Sequence, residues 1–192
     1  RFLSFYGAYH GGVSGSMSVS SHPSQQHTLP RAGLVQIPYA NPYRPMSGDD
    51  AAGAVFAYLD FLFTCGCPPD DIGALFIEPL QSDGGMLVPP PGFLKELTER
   101  CRAHGILIVS DEVKVGLGRP GCWHCYQAED VVPDVITFGK GLGSGVPSAA
   151  IVAPREIMDS QEAFALITAT GNSVSTSVAS AVLTTIENDG LI

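Results

Sequence analysis

Apolar residues fall along this chain in two rhythms. Short, mostly apolar runs recur at residues 1–6 (RFLSFY), Leu34–Ile37, Ile72–Ile77, Ile106–Val109, Val135–Phe138 and Ala149–Val152. Each run is too short for a stable helix. Most are bounded by Gly, Pro or charged residues, so they predict buried strands. Between them the spacing changes to three and four. Val55, Phe56, Leu59, Leu62 and Phe63 recur that way behind Asp49 and Asp50, either of which can cap a helix. Residues 92–104 put Phe93, Leu94, Leu97 and Cys101 on one helical face, between Pro89–Pro91 and Gly105. Ser173–Ile186 predicts a long helix of small and branched residues. Continuous apolar strands alternating with helices predict an α/β fold, a mostly parallel sheet with flanking helices on both faces. The Gly- and Ser-rich stretch from Gly7 to His27 is too long for a simple connection and is expected to be a functional loop.

Composition narrows the class. The 192 residues suit one sizeable domain, and no internal repeat or clean linker divides them. Charged residues are 15% against a usual quarter, and apolar residues 45%, which argues against disorder and coiled coil. The net charge of −9 repels phosphate backbones, so nucleic-acid binding through a basic surface is excluded. No apolar run is long enough to span a membrane. No charged segment followed by an apolar one marks a signal peptide. Five cysteines, an odd number, then imply reduced thiols and a cytoplasmic protein. Cys122-Trp-His-Cys125 has the spacing of a zinc half-site or redox pair, but no second ligand pair stands at a suitable distance. It is expected to pack, and no metal is expected. The chain begins inside an apolar run at Arg1 and ends at Ile192 just past a helical pattern, so it is read as part of a longer protein.

Candidate chemistry lies at the strand ends. In open α/β sheets, ligands bind beyond the carboxyl ends of the strands. Three predicted strands end in ionisable residues there: Glu78, Asp111 and Lys140. A lysine flanked by Gly139 and Gly141 is placed to act as an amine nucleophile. An aspartate nearby can hold a cationic partner. Together they suit a Schiff-base cofactor that needs a lysine for its aldehyde and a carboxylate for its ring nitrogen, namely pyridoxal phosphate. The same residues also fit solvated strand ends, and Gly143-Ser144-Gly145 an ordinary turn. A nucleotide-binding reading is weak, because no GxGxxG pattern opens a helix.

Several segments in register add specificity. AYHGG (8–12), IEPLQSDGG (77–85), ILIVSDEVKVGLGRPG (106–121) and PDVITFGKGLGSGVP (133–147) resemble the signature segments of class III aminotransferases, PLP-dependent enzymes of fold type I. The resemblance runs from Phe5 to about Glu187. It implies that residues 1–192 are most of the large PLP-binding domain, without the upstream phosphate loop and the C-terminal small domain. It implies that Lys140 bonds the cofactor aldehyde and moves the substrate Cα proton, while Asp111 pairs with the pyridine N–H. Val113 would pack on one ring face and Tyr9 on the other, with His10 beside it. Thr168 would reach the cofactor phosphate across a homodimer interface. Glu78 would lie near the substrate, an amino acid or amine.

Two departures from the family pattern bear on the reaction. The family commonly reads DEVQTG, and this chain reads DEVKVG, which places the cation of Lys114 near the cofactor's O3′. GNS at 171–173 replaces the usual GNP. DEVKVGLGRPGCWHC and QSDGG resemble the α-amino-ε-caprolactam and amino-acid racemase branch. There, the residue matching Asp83 is a candidate second acid/base on the face opposite the lysine. A transaminase returns the proton to the cofactor, whereas a racemase returns it to Cα from the other side and so needs that second group. Asp83 also fits an ordinary turn before Gly84-Gly85. The resemblance thus implies transamination or racemisation, with a non-catalytic remnant of the fold as the alternative.

Overall fold

The computed structural model describes residues 1–25, 33–161 and 167–192. Six strands form one sheet: β1 (Phe2–Phe5), β2 (Leu34–Ile37), β3 (Ala74–Ile77), β4 (Leu107–Asp111), β5 (Val135–Phe138) and β6 (Ala150–Val152). Their spatial order is β2-β1-β3-β4-β5-β6. The first five run parallel, and β6 lies antiparallel to β5. The expected mostly parallel α/β sheet is the one observed.

That order positions the site. From β1 the chain passes to β2 on one side, then returns to place β3 on the other, so the order reverses between β1 and β3. Reversal leaves a crevice at the carboxyl ends of the two strands. β1 and β3 share only two paired positions, Phe2 with Ala74 and Leu3 with Leu75, before they part. Where they part, Gln81 Nε2 donates to Tyr6 O at 2.9 Å and keeps the gap from closing on unpaired backbone.

Helices α1 (Ser14–Val19), α2 (Ala51–Cys65), α3 (Phe93–Arg102), α4 (Arg155–Met158) and α5 (Ser173–Asn188) complete the fold. Asp50, one of the two candidate caps, accepts from Gly53 N at 2.9 Å and starts α2. α3 begins at Gly92 without a local side-chain cap. Glu129 serves instead, accepting from Gly92 N and Lys95 N at 3.0 Å each. The apolar faces of α2 and α3 bury Val55, Phe56, Leu59, Leu97 and Cys101 against Leu3, Phe5, Leu75 and Ile77. Phe93 sits at the centre, stacked on Phe56 at 5.5 Å and edge-on to Tyr39 at 5.9 Å. Burying an aromatic ring this fully contributes roughly 1.5–3 kcal/mol.

Two expectations change. The stretch from Gly7 to Gln25 is not a bare loop: it holds α1 and a 3-10 turn at Pro23–Gln25. Residues 26 and 27 of that stretch lie outside the described residues. α1 reads SGSMSV, with no apolar periodicity to announce it, and it is held by Ser4 Oγ donating to Val19 O at 2.6 Å. Nor is the sheet covered evenly. β1, β3 and β4 carry most of the core, while Ile151 and Val152 on β6 are exposed and α5 buries none of its residues. Among the described residues, no helix is long and apolar enough to cross a membrane.

Candidate active site

Asp111 is the last residue of β4, and its carboxylate is aimed by three donors. Val113 N donates to Oδ1 at 3.0 Å, and Thr137 Oγ1 on β5 lies 3.5 Å from the same oxygen. His10 Nδ1, from the segment after β1, lies 2.8 Å from Oδ2. Both side chains are shielded, at 4% exposure for His10 and 11% for Asp111. A carboxylate only accepts, so His10 presents Nδ1–H to Asp111, while its Nε2 has no hydrogen-bond partner among the described residues. The sequence placed His10 merely beside Tyr9; the fold makes it the partner of Asp111.

Lys140 follows β5 and opens a 3-10 turn, Lys140–Gly143. Its φ is +38°, uncommon for a residue with a side chain and a conformation that gathers at functional sites. The glycine before it has a steric role. A Cβ on Gly139 would stand 3.1 Å from Val113 Cγ1, so glycine lets Val113 close against the strand that carries Lys140. Tyr9, His10, Glu78, Asp83, Asp111, Val113, Lys114 and Lys140 line one cleft.

Lys114 and Asp83 form an ion pair across its rim at 2.8 Å. The hydrogen bond from Lys114 holds the Asp83 carboxyl below the usual carboxylate range against some desolvation, and the charges of Lys114, Lys140 and His22 act in the same sense. Expected in separate tasks, these two residues are brought together by the fold. Tyr9 presents its ring edge-on to His22 at 5.9 Å, and its backbone N donates to Glu78 Oε1 at 3.0 Å. Thr168 stands apart, exposed in the turn before α5 and away from the cleft lining.

One structural anchor was missed. Glu112, 2% exposed, accepts from Cys125 N at 2.9 Å and Tyr126 N at 3.0 Å. Burial pushes its carboxyl up from the usual range. It ties the CWHC segment to the turn after β4, where His124 packs on Phe138 with ring centroids 5.2 Å apart. The available signal was a second acidic residue directly behind an apolar strand, a costly place for an unpaired charge. All five cysteines are free thiols, and burial raises those of Cys101 and Cys125 to about 12.

The donor set fits pyridoxal phosphate on its chemistry. A primary amine, a carboxylate held in one direction, an aromatic residue and a branched aliphatic one converge on a single cleft. Lys140 suits an aldehyde, Asp111 a ring N–H, and Tyr9 and Val113 the faces of a flat ring.

Comparison with known proteins agrees. A family model described as aminotransferase class-III matches residues 1–192. The chain is 39% identical to an alanine/serine racemase of Pyrococcus horikoshii, covering 99% of this chain and 42% of that one. It is 34% identical to an isoleucine 2-epimerase of Lentilactobacillus buchneri, covering 99% and 44%. An acetylornithine aminotransferase of Methanopyrus kandleri is 37% identical over 84% of this chain and 37% of that one. The chain therefore spans about two fifths of the length of these relatives. Among solved structures, an (S)-enantioselective omega-transaminase from Thermomicrobium roseum superposes with a TM-score of 0.90 at 30% identity, covering 100% of this chain and 45% of that one. A sheet that reverses at the crevice, a lysine and an aspartate at neighbouring strand ends, and a match over every residue make this chain a member of the class III aminotransferase family.

Proposed function

We propose that this chain is the cofactor-binding part of a pyridoxal phosphate enzyme that moves the Cα proton of an amino acid or amine. The observation that carries this reading is the convergence of Lys140 and Asp111 on one cleft at the carboxyl ends of β1, β3, β4 and β5. When bound, pyridoxal phosphate supplies an electron sink that makes the Cα–H bond acidic. Asp111 would hold the ring N–H, with His10, Val113 N and Thr137 fixing its direction. Tyr9 and Val113 would hold the ring faces, and Lys114 would place a cation at the rim. Lys140 would bind the aldehyde carbon and, once released, carry the proton at Cα.

Racemisation is the reaction favoured here, because Asp83 lines the same cleft as Lys140 and offers a second proton acceptor. Three relatives named as racemases or epimerases, at 34–39% identity, support it. Transamination is the second reading, supported by the likeness to solved transaminases. A second copy of the chain would complete the site, with Thr168 reaching the partner's cofactor phosphate. The exposed Ile151, Val152 and Val174 suit such a covered face. Five free thiols suit a reducing, cytoplasmic setting.

The test uses the full-length protein. Wild type should show a cofactor absorbance band that Lys140→Ala removes, and no such band would leave the non-catalytic reading. A single enantiomer in D₂O, without a keto acid, should yield the deuterated opposite enantiomer. A strict need for a keto acid would decide for transamination.

A further inference from the structure

Glu78 is expected near the substrate, yet its carboxylate is already committed. It is buried, at 6% exposure, just past β3. Oε1 accepts from Tyr9 N at 3.0 Å. Oε2 accepts from Ser82 N at 3.1 Å and from Ser82 Oγ at 3.2 Å. Its backbone carbonyl accepts from Tyr39 OH at 3.1 Å. One side chain thus joins the segment that carries Tyr9 to the turn that carries Asp83. That turn is closed on itself, with Met86 N donating to Ser82 O at 2.9 Å and Leu87 N to Gln81 O at 2.8 Å. Fixing Ser82 therefore fixes Asp83, one residue on. The charged or titratable groups acting on Glu78 include His10 and Asp111, and Tyr39 feels its charge in turn.

We propose that Glu78 is a positioning residue that sets the spacing between Tyr9 and Asp83. This rests on the functional reading above, in which Tyr9 stacks on the ring and Asp83 serves the face opposite Lys140. An ionised carboxylate offers lone pairs to Tyr9 N, Ser82 N and Ser82 Oγ at once. A glutamine of the same shape keeps one acceptor oxygen and turns an NH₂ toward either Tyr9 N or Ser82 N. An alanine leaves both N–H groups buried and unpaired.

Amide hydrogen exchange on the cofactor-free, full-length protein tests the contact directly. In Glu78→Gln, protection at Tyr9 or Ser82 should fall at least tenfold. Val113, whose amide donates to Asp111, should hold its protection. Glu78→Asp keeps the charge on a shorter arm and should recover part of the loss. With cofactor bound, inversion of a single enantiomer should fall at least tenfold in Glu78→Gln. Where Ser82 is the amide that loses protection, solvent exchange of the Cα proton with retention, through Lys140, should change less than threefold. Unchanged protection at both amides overturns the proposal. So does a loss spread across Phe76 and Val109, or an equal fall in inversion and retention when only the Ser82 amide has lost protection. A wild type that never inverts its substrate sinks the racemase reading alone. In that case the amide data, with the visible circular dichroism of the bound cofactor, still decide the role of Glu78.

Discussion

His10 Nδ1 lies 2.8 Å from Asp111 Oδ2, across 101 residues of chain. The contact draws the segment after β1 onto the end of β4, and it fixes one carboxylate oxygen in a shielded place. Hydrogen bonds to charged groups contribute about 1.5–3 kcal/mol. We expect His10→Phe to weaken pyridoxal phosphate binding roughly tenfold, equivalent to about 1.4 kcal/mol, with the fold kept. Asp111→Ala should weaken it far more. Spectral titration of the full-length variants measures both, and an unchanged affinity in His10→Phe would remove His10 from the site.

The Asp83–Lys114 pair gives a pH expectation. Lys114 holds the Asp83 carboxyl low, so Asp83 remains a proton acceptor further into acid than an ordinary aspartate. Lys114→Met removes the hydrogen bond and the charge, and the Asp83 pKa should rise. On the proposed racemase reading, in which Asp83 takes the proton of one enantiomer and Lys140 that of the other, the acid limb for the first enantiomer should then move to higher pH. The limb for the second should show a smaller displacement. Rate profiles for the two enantiomers check this, and an equal shift in both would assign the limb to another group.

Much of the frame was legible in the chain. The runs that became β3, β4 and β5 are mostly apolar, as strands of a covered parallel sheet are, with Thr137 the polar residue inside β5. α3 showed its face through Phe93, Leu94, Leu97 and Cys101. Asp111 and Lys140 each also fit a solvated strand end, and they were legible because ILIVSDEVKVGLGRPG and PDVITFGKGLGSGVP resemble class III signature segments in register. The pairings were not. Nothing in AYHGG states that His10 meets Asp111, since that contact depends on how β1 and β4 are ordered in the sheet. Glu78 and Glu112 look alike in sequence, each an acid behind a strand. Only the fold shows that one is held by Tyr9 and Ser82, and the other by Cys125 and Tyr126.

Glu112 sets a pH dependence of stability. Burial raises its folded pKa above the unfolded value, so the folded state keeps this proton to higher pH. Its contribution is greatest below the unfolded carboxylate pKa and is lost as pH rises through the raised one. Glu112→Gln removes that slope. It also turns an NH₂ toward Cys125 N or Tyr126 N, which costs about 1–3 kcal/mol. We expect Glu112→Gln to unfold at lower temperature, with the deficit narrowing as pH rises from the ordinary carboxylate range through the raised folded pKa. Melting curves at several pH values check the sign, and a deficit that widens with pH would contradict it.

Two glycines that look alike in sequence should respond oppositely to alanine. A methyl on Gly84 would crowd Gln81 Oε1 and stand 2.6 Å from Gln81 Cδ. Gln81 is 2% exposed and its Nε2 holds Tyr6 O, so it cannot turn away without breaking the bond that spans the gap between β1 and β3. Gly84→Ala should cost about 1–3 kcal/mol, the penalty of leaving a buried polar group unpaired. It should also displace Asp83, its neighbour, and lower inversion of the substrate more than exchange with retention. Gly15 lies in α1, and a methyl there meets nothing within 4 Å. Gly15→Ala should stabilise the protein by roughly 0.5–1 kcal/mol, the difference between glycine and alanine inside a helix. Denaturant unfolding of both variants gives the comparison. Equal effects would mean that Gln81 moves freely, and that the gap between β1 and β3 is not bolted where the site needs it.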